Sequence, residues 1–208
     1  MSWYRTYRPT AVSGLHLTQV RTQLENLIKR GQIPQVWLLT GPKGTGKTST
    51  ARIIAAMLNL PANEAIVQHL FFQAKAPKSL ILHDPDPTDD DQRKILQGQS
   101  YVVQEWDAAS HRGIDDVRSL KEQVGLPPAV GLMSVYILDE VHMLTTEAFN
   151  ALLKLLEEPP RHVVFMLATT ERHKVPDTII SRATTVQFAQ ATEAEIVTAL
   201  QSILDQEK

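Results

Sequence analysis

An α/β fold with a mainly parallel five-stranded sheet, flanked by helices on both faces, is what this sequence predicts. Three observations carry that reading. Short apolar runs alternate with helix-period stretches. Those runs read as strands buried on both faces. The first of them passes through a glycine-rich turn straight into a helix, "WLLTGPKGTGKTSTARIIAAML".

In chain order, residues 18–29 form the first helix, because Val20, Leu24, Leu27 and Ile28 recur at helical spacing and Gly31 stops it. Residues 35–40, "QVWLLT", are the first strand, and 48–60 a helix ending near Pro61. Residues 101–106, "YVVQEW", are the second strand; "DAASHRG" follows, then a helix over 114–124. "SVYILDE", 134–140, is the third strand. "TTEAFNALLKLLEEPP" then gives a helix capped by Thr145 or Thr146 and stopped by two prolines. "HVVFMLATT" is the fourth strand, 184–188 the fifth, and "TEAEIVTALQSIL" an amphipathic closing helix. Residues 60–99 break this rhythm with a helix, "EAIVQHLFFQAK", and a proline-broken acidic loop, "HDPDPTDDD". They read as an insertion in one domain spanning 1–208, since the strand pattern resumes after them.

The chain has 208 residues, 43% of them hydrophobic, enough for a real core. A formal net charge of −2 argues against a free-standing basic nucleic-acid binder, though not against a local basic patch used within an assembly. With no cysteine, disulfides, thiolate zinc sites and cysteine nucleophiles are excluded. "MSWYRTYRPT" lacks the apolar stretch of a signal peptide, and no later run is long enough to span a bilayer. A cytoplasmic protein with no membrane partner is expected.

Gly41-Pro42-Lys43-Gly44-Thr45-Gly46-Lys47-Thr48 satisfies G-x-x-x-x-G-K-[ST] at every fixed position, between an apolar strand and a helix. Such a loop aims backbone N–H groups into one concavity, and the helix N-terminus adds its dipole. Lys47 then reaches the outer phosphates of a nucleoside triphosphate, while Thr48, with Ser49 beside it, faces a magnesium ion bridging them. A second site follows at the end of "VYILDE": Asp139 to hold magnesium, and Glu140 to polarise the attacking water. In a parallel sheet both strands open on the same crevice, so the two motifs can meet. Strand "FMLATT" ends in Thr169 and Thr170, hydroxyls suited to sensing the outer phosphate or simply to capping a strand end.

With these pieces in order, the chain resembles the AAA+ ATPases, and among them the gamma/tau family of bacterial clamp-loader motor subunits. The resemblance runs through "YRP", "GPKGTGKTSTARIIA", "DAASHRGIDDVR", "VYILDEVHMLTTEAFNALLKLLEEPP" and "FMLATTERHKVPDTIISR". The chain also resembles replication factor C subunits. The resemblance implies ATP and Mg2+ as ligands. Ser181-Arg182 looks like the family's Ser-Arg-Cys motif, which implies that Arg182 is an arginine finger acting on a neighbouring subunit's ATP. It further implies that Thr170 is the sensor 1 position and that Tyr7, Arg8 and Pro9 lie near adenine and ribose. The helix starts after "DAAS" and "DEVHML" track duplex DNA in that family, which makes Arg112, Thr145 and Thr146 candidate phosphate contacts. The implied partners are gamma/tau copies, delta and delta prime subunits, the sliding clamp and primed DNA.

Three departures alter what the resemblance implies. The family's four-cysteine zinc module would fall within residues 60–99, where no cysteine stands. His69, His83 and the acids Asp84, Asp86, Asp89, Asp90 and Asp91 remain, without the glycine and glutamate of an EF-hand loop, so no zinc or other structural metal is expected. The Val-Gly-Gln segment near adenine becomes "LHLTQ", with His16 and Leu17 where glycine and glutamine are the rule. The helical lid, its second sensor arginine and the oligomerising collar are expected to be absent, leaving nothing to close over the base. Two other functions stay open: a non-catalytic ATP-binding or structural module, and an AAA+ ATPase of another DNA transaction such as Holliday-junction branch migration.

Overall fold

In the computed structural model, which describes residues 6–207, five strands form one sheet in the order β2-β3-β4-β1-β5. They are β1 (Val36–Thr40), β2 (Val103–Asp107), β3 (Ser134–Asp139), β4 (Val163–Thr169) and β5 (Thr184–Gln187). Every neighbouring pair is parallel. β1 and β4 are buried along their whole length, as central strands covered on both faces must be, which is why they read as unbroken apolar runs.

Alternate residues serve two cores. Trp37, Leu39, Val135, Ile137, Val164 and Met166 face one side, under α1 (Thr18–Lys29), α2 (Lys47–Leu58), α3 (Glu64–Phe72) and α4 (Asp90–Gln97). Val36, Leu38, Tyr136, Leu138, Phe165 and Leu167 face the other, under α5 (Ile114–Val124), α6 (Thr146–Glu157) and the short α7 (Asp177–Ile180). Each such buried side chain contributes about 1.5–3 kcal/mol by leaving water. The last helix, α8 (Glu193–Gln206), is amphipathic and opens on a capping box formed by Thr192 and Glu195.

Residues 60–99 differ from the expected helix and acidic loop. The helix ends at Phe72, with Gln73 in the left-handed region. The acidic tract is loop only in its proline-broken half. Asp89 caps α4, its side chain accepting from Gln92 N at 2.9 Å, and Asp90 and Asp91 fill the first turn. Carboxylates are favoured there by the unpaired N–H groups and by the helix dipole, and Ile95 and Leu96 then anchor the helix in the core. A run of acids that looked like a solvated loop is therefore partly a helix start.

Candidate nucleotide-binding site

The glycine turn leaves the sheet where β1 lies between β4 and β5. Gly41 N donates to Thr169 O (3.1 Å) and Phe188 N to Thr40 O (2.7 Å). A Cβ on Gly41 would sit 2.1 Å from the Phe188 carbonyl oxygen, so only glycine fits this approach. Gly46, with φ 96°, makes the left-handed step into α2. Lys47 is 7% exposed and its Nζ donates to the Gly41 and Pro42 carbonyls at 2.7 and 2.8 Å. Burial pushes its pKa down, and the nearby Asp139 and Glu140 carboxylates pull it back up. The ammonium is thus held at the mouth of the loop, facing the acids across the crevice.

β3 delivers those acids. Asp139 Oδ1 accepts from Glu140 N at 2.9 Å, fixing the turn, and Glu140 itself has φ 48°, a left-handed conformation that is uncommon outside glycine. Glu140 Oε2 accepts from the Thr170 hydroxyl at 3.1 Å, so the end of β4 reaches the glutamate directly. Thr169, fully buried, is used internally: its Oγ1 accepts from Glu171 N (3.0 Å) and lies 3.0 Å from His142 Nδ1.

His142 and Glu171 escaped the sequence reading. The His142 side chain is 6% exposed, with Nδ1 3.4 Å from Glu140 Oε2 and Nε2 3.1 Å from Glu171 Oε1. A hydrogen bond from Lys174 chiefly holds the Glu171 carboxyl below its usual range, helped by the charges of Lys174, His142 and His173. The only signal in the sequence was a lone polar residue inside the apolar turn "VHML".

The two motifs meet in one crevice of about 820 Å3, lined by Lys43 to Ser49, Asp139 and Glu140 at one end. That volume lies in the usual range for a small-molecule site. Tyr7, Arg8, Pro9, Leu15, His16, Leu17 and Val20 line the other end. Ala199, Leu200 and Ile203 of α8 complete that wall. Glu195 of α8 accepts from Thr18 N at 2.8 Å, and the Tyr7 hydroxyl donates to Glu207, so α8 is tied to both ends of the segment before α1. The residue types fit a magnesium nucleotide: hydroxyl and carboxylate oxygens from Thr48 and Asp139 suit a hard cation, and the lysine and helix N-terminus suit phosphate.

The remaining candidates lie outside this crevice. Arg182 Nη2 pairs with Glu157 Oε1 and its Nη1 donates to Thr178 O, both at 2.8 Å, on the exposed surface. Thr145 N donates to Arg112 O at 3.1 Å, which brings the starts of α5 and α6 side by side. Thr145, rather than Thr146, caps α6, its hydroxyl accepting from Ala148 N at 3.2 Å, while Arg112 and Thr146 are exposed. Among the described residues no helix is long and apolar enough to cross a membrane.

A family model described as DNA polymerase III, delta subunit matches residues 17–192. DNA polymerase III subunit tau of Bacillus subtilis is 39% identical over 209 residues, spanning 99% of this chain and 34% of that protein. Subunit gamma/tau of Mycobacterium tuberculosis is 40% identical over 187 residues, 88% of this chain and 29% of that protein. The chain thus spans only about a third of the length of these two relatives. Among solved structures, a DNA polymerase III gamma subunit-related protein from Thermotoga maritima aligns with TM-score 0.50 at 24% identity, over 85% of this chain and 47% of that one. The RuvB Holliday junction branch migration motor of the same organism gives 0.55 at 19% identity, over 96% and 55%. These two likenesses show the AAA+ fold.

Proposed function

From the premise that the chain belongs to the DNA polymerase III delta subunit family and is similar to gamma/tau over most of its length, we propose that it is the ATP-binding and ATP-hydrolysing motor module of a clamp loader. The observation that carries this reading is the convergence of Lys47, Thr48, Asp139 and Glu140 on one crevice, with Thr170 hydrogen-bonded to the glutamate.

In this reading ATP lies with its phosphates on residues 41–49 and its base toward Tyr7, Arg8, Pro9 and α8. Lys47 exchanges the Gly41 and Pro42 carbonyls for outer phosphate oxygens, which keeps its charge at the reacting group. Thr48 and Asp139 would hold magnesium, whose charge would offset that of the phosphates. Glu140 takes the proton of the attacking water, and Thr170 orients its carboxylate. Arg182 completes the charge stabilisation from a neighbouring subunit, releasing Glu157 to do so. Arg112, Thr145 and Thr146 face duplex DNA inside the assembly, with residues 60–99 standing in place of a zinc module. The partners are gamma/tau copies, delta, delta prime, sliding clamp and primed DNA, in the cytoplasm.

The test is steady-state ATP hydrolysis with the partner subunits, with and without clamp and primed DNA, beside a Glu140→Gln control. Turnover stimulated by clamp and DNA, and lost in the control, is the expected result. An assembled complex whose turnover ignores both ligands would sink the motor reading and leave a scaffold.

A further inference from the structure

Part of the wall at the base end comes from a short segment, residues 12–18, and that segment is gripped on both flanks by carboxylates. On the first flank, Asp84 Oδ1 accepts from Val12 N at 2.8 Å and Oδ2 from the Ser13 hydroxyl at 3.0 Å. On the second, Glu195 Oε1 accepts from Thr18 N at 2.8 Å, while its Oε2 accepts from Thr192 N at 2.9 Å. Leu15, His16 and Leu17, between the two grips, line the crevice.

Asp84 is itself anchored to the far end of α2, the end remote from the glycine turn. The preceding residue, His83, donates its N–H to Asn63 Oδ1 at 2.8 Å, and Asn63 Nδ2 donates to the carbonyls of His83 and Met57, both at 2.9 Å. Asn63 is fully buried, and Met57 belongs to α2, the helix that the glycine turn opens. Leu82, also buried, packs in the same core as Val12 and Leu15. A path of hydrogen bonds and chain therefore runs from the C-terminal end of α2 through Asn63, His83 and Asp84 to Val12 and Ser13.

We propose that Asp84 and Glu195 are positioning residues for the base end of the nucleotide site, holding residues 12–18 so that Leu15 and Leu17 meet the purine at a fixed distance from the phosphate loop. The proposal rests on reading the crevice as a nucleoside triphosphate site. Neither carboxylate touches the nucleotide; each acts through main-chain N–H groups. The stretch at 60–99 thereby serves the site indirectly, as a strut between the far end of α2 and the base wall.

The experiment is titration calorimetry of the full chain with ATP and, separately, with inorganic tripolyphosphate, which has no base to contact the wall. Asp84→Ala is expected to weaken ATP about fivefold, the order set by losing one or two net hydrogen bonds. Tripolyphosphate affinity is expected to stay within about twofold, since no phosphate contact changes. Asp84→Asn retains an acceptor for Val12 N–H and is expected to recover most of the ATP affinity. Equal losses for both ligands would indicate a general loosening of the fold and overturn the proposal, as would unchanged ATP binding. Should Asp84→Ala not fold, Ser13→Ala removes one of the two bonds, and the same ATP-selective loss, smaller in size, is expected; its absence overturns the proposal equally. Wild-type protein that binds neither ligand would overturn the nucleotide reading itself. Binding by the wild type with indifferent variants would overturn only the positioning role.

Discussion

The two ends of the proposed nucleotide crevice, one for phosphates and one for the base, are built on opposite principles. The phosphate end comes from one unbroken stretch, residues 41–49, together with the ends of β3 and β4 that the parallel sheet sets beside it. Its chemistry resides in residue types at fixed spacing. The base end is assembled from residues 7–17, residues 82–84 and α8, segments far apart in the chain and joined by single hydrogen bonds at Val12, Ser13 and Thr18. The first end is a motif; the second is an assembly. Mutations at the first should act steeply and on all triphosphates, and those at the second shallowly and only where a base is present.

The largest effect is expected from Glu140→Gln, which keeps the Thr170 contact possible while removing the base. Turnover should fall about 100- to 10,000-fold with ATP affinity nearly unchanged, measured by hydrolysis and calorimetry on the same samples. Lys47→Ala comes next. Loss of a charge-assisted contact should weaken ATP and tripolyphosphate alike, by about 10- to 100-fold. A loss confined to ATP would break the division drawn here. At the base end, Leu200→Ala removes part of the α8 wall and is expected to weaken ATP about threefold while sparing tripolyphosphate, since only part of a half-exposed leucine is lost.

The smallest effect is a pH dependence at the base end. Hydrogen bonds from Thr192 N–H, and then from Thr18 N–H, hold the Glu195 carboxyl down from 4.5 to about 2. A depressed carboxylate stabilises the fold fully above its ordinary value, and that contribution fades as pH falls through the lowered one. Thermal melts of wild type and Glu195→Gln should therefore differ at pH 7 and converge as the pH drops from 4.5 toward 2. Curves that stay parallel throughout would mean that Glu195 does not hold α8 through its charge.

The same division decides what could be read from the sequence. The five parallel strands, and the meeting of the glycine-rich turn with Asp139 and Glu140 in one crevice, were legible because apolar period, glycine placement and residue identity carry them. Thr170 was legible as a hydroxyl at a strand end, and its bond to Glu140 follows from the adjacency of β3 and β4. The grips on residues 12–18 were not legible, since a backbone N–H has no signature in the residue that bears it. His142 was hidden for a related reason: one histidine in an apolar turn looks the same whether it faces solvent or lies between two carboxylates. The start of α4 was obscured because its cap and first turn are the acids that also mark a solvated loop.

Glu140 sits at φ 48°, where a side chain other than glycine or asparagine costs the fold on the order of 1–3 kcal/mol. With Glu140 as the proposed general base, heat resistance and turnover would make opposing demands on this one position. A library enriched only for survival at high temperature would drift toward asparagine or glycine at residue 140 and yield durable, inert protein.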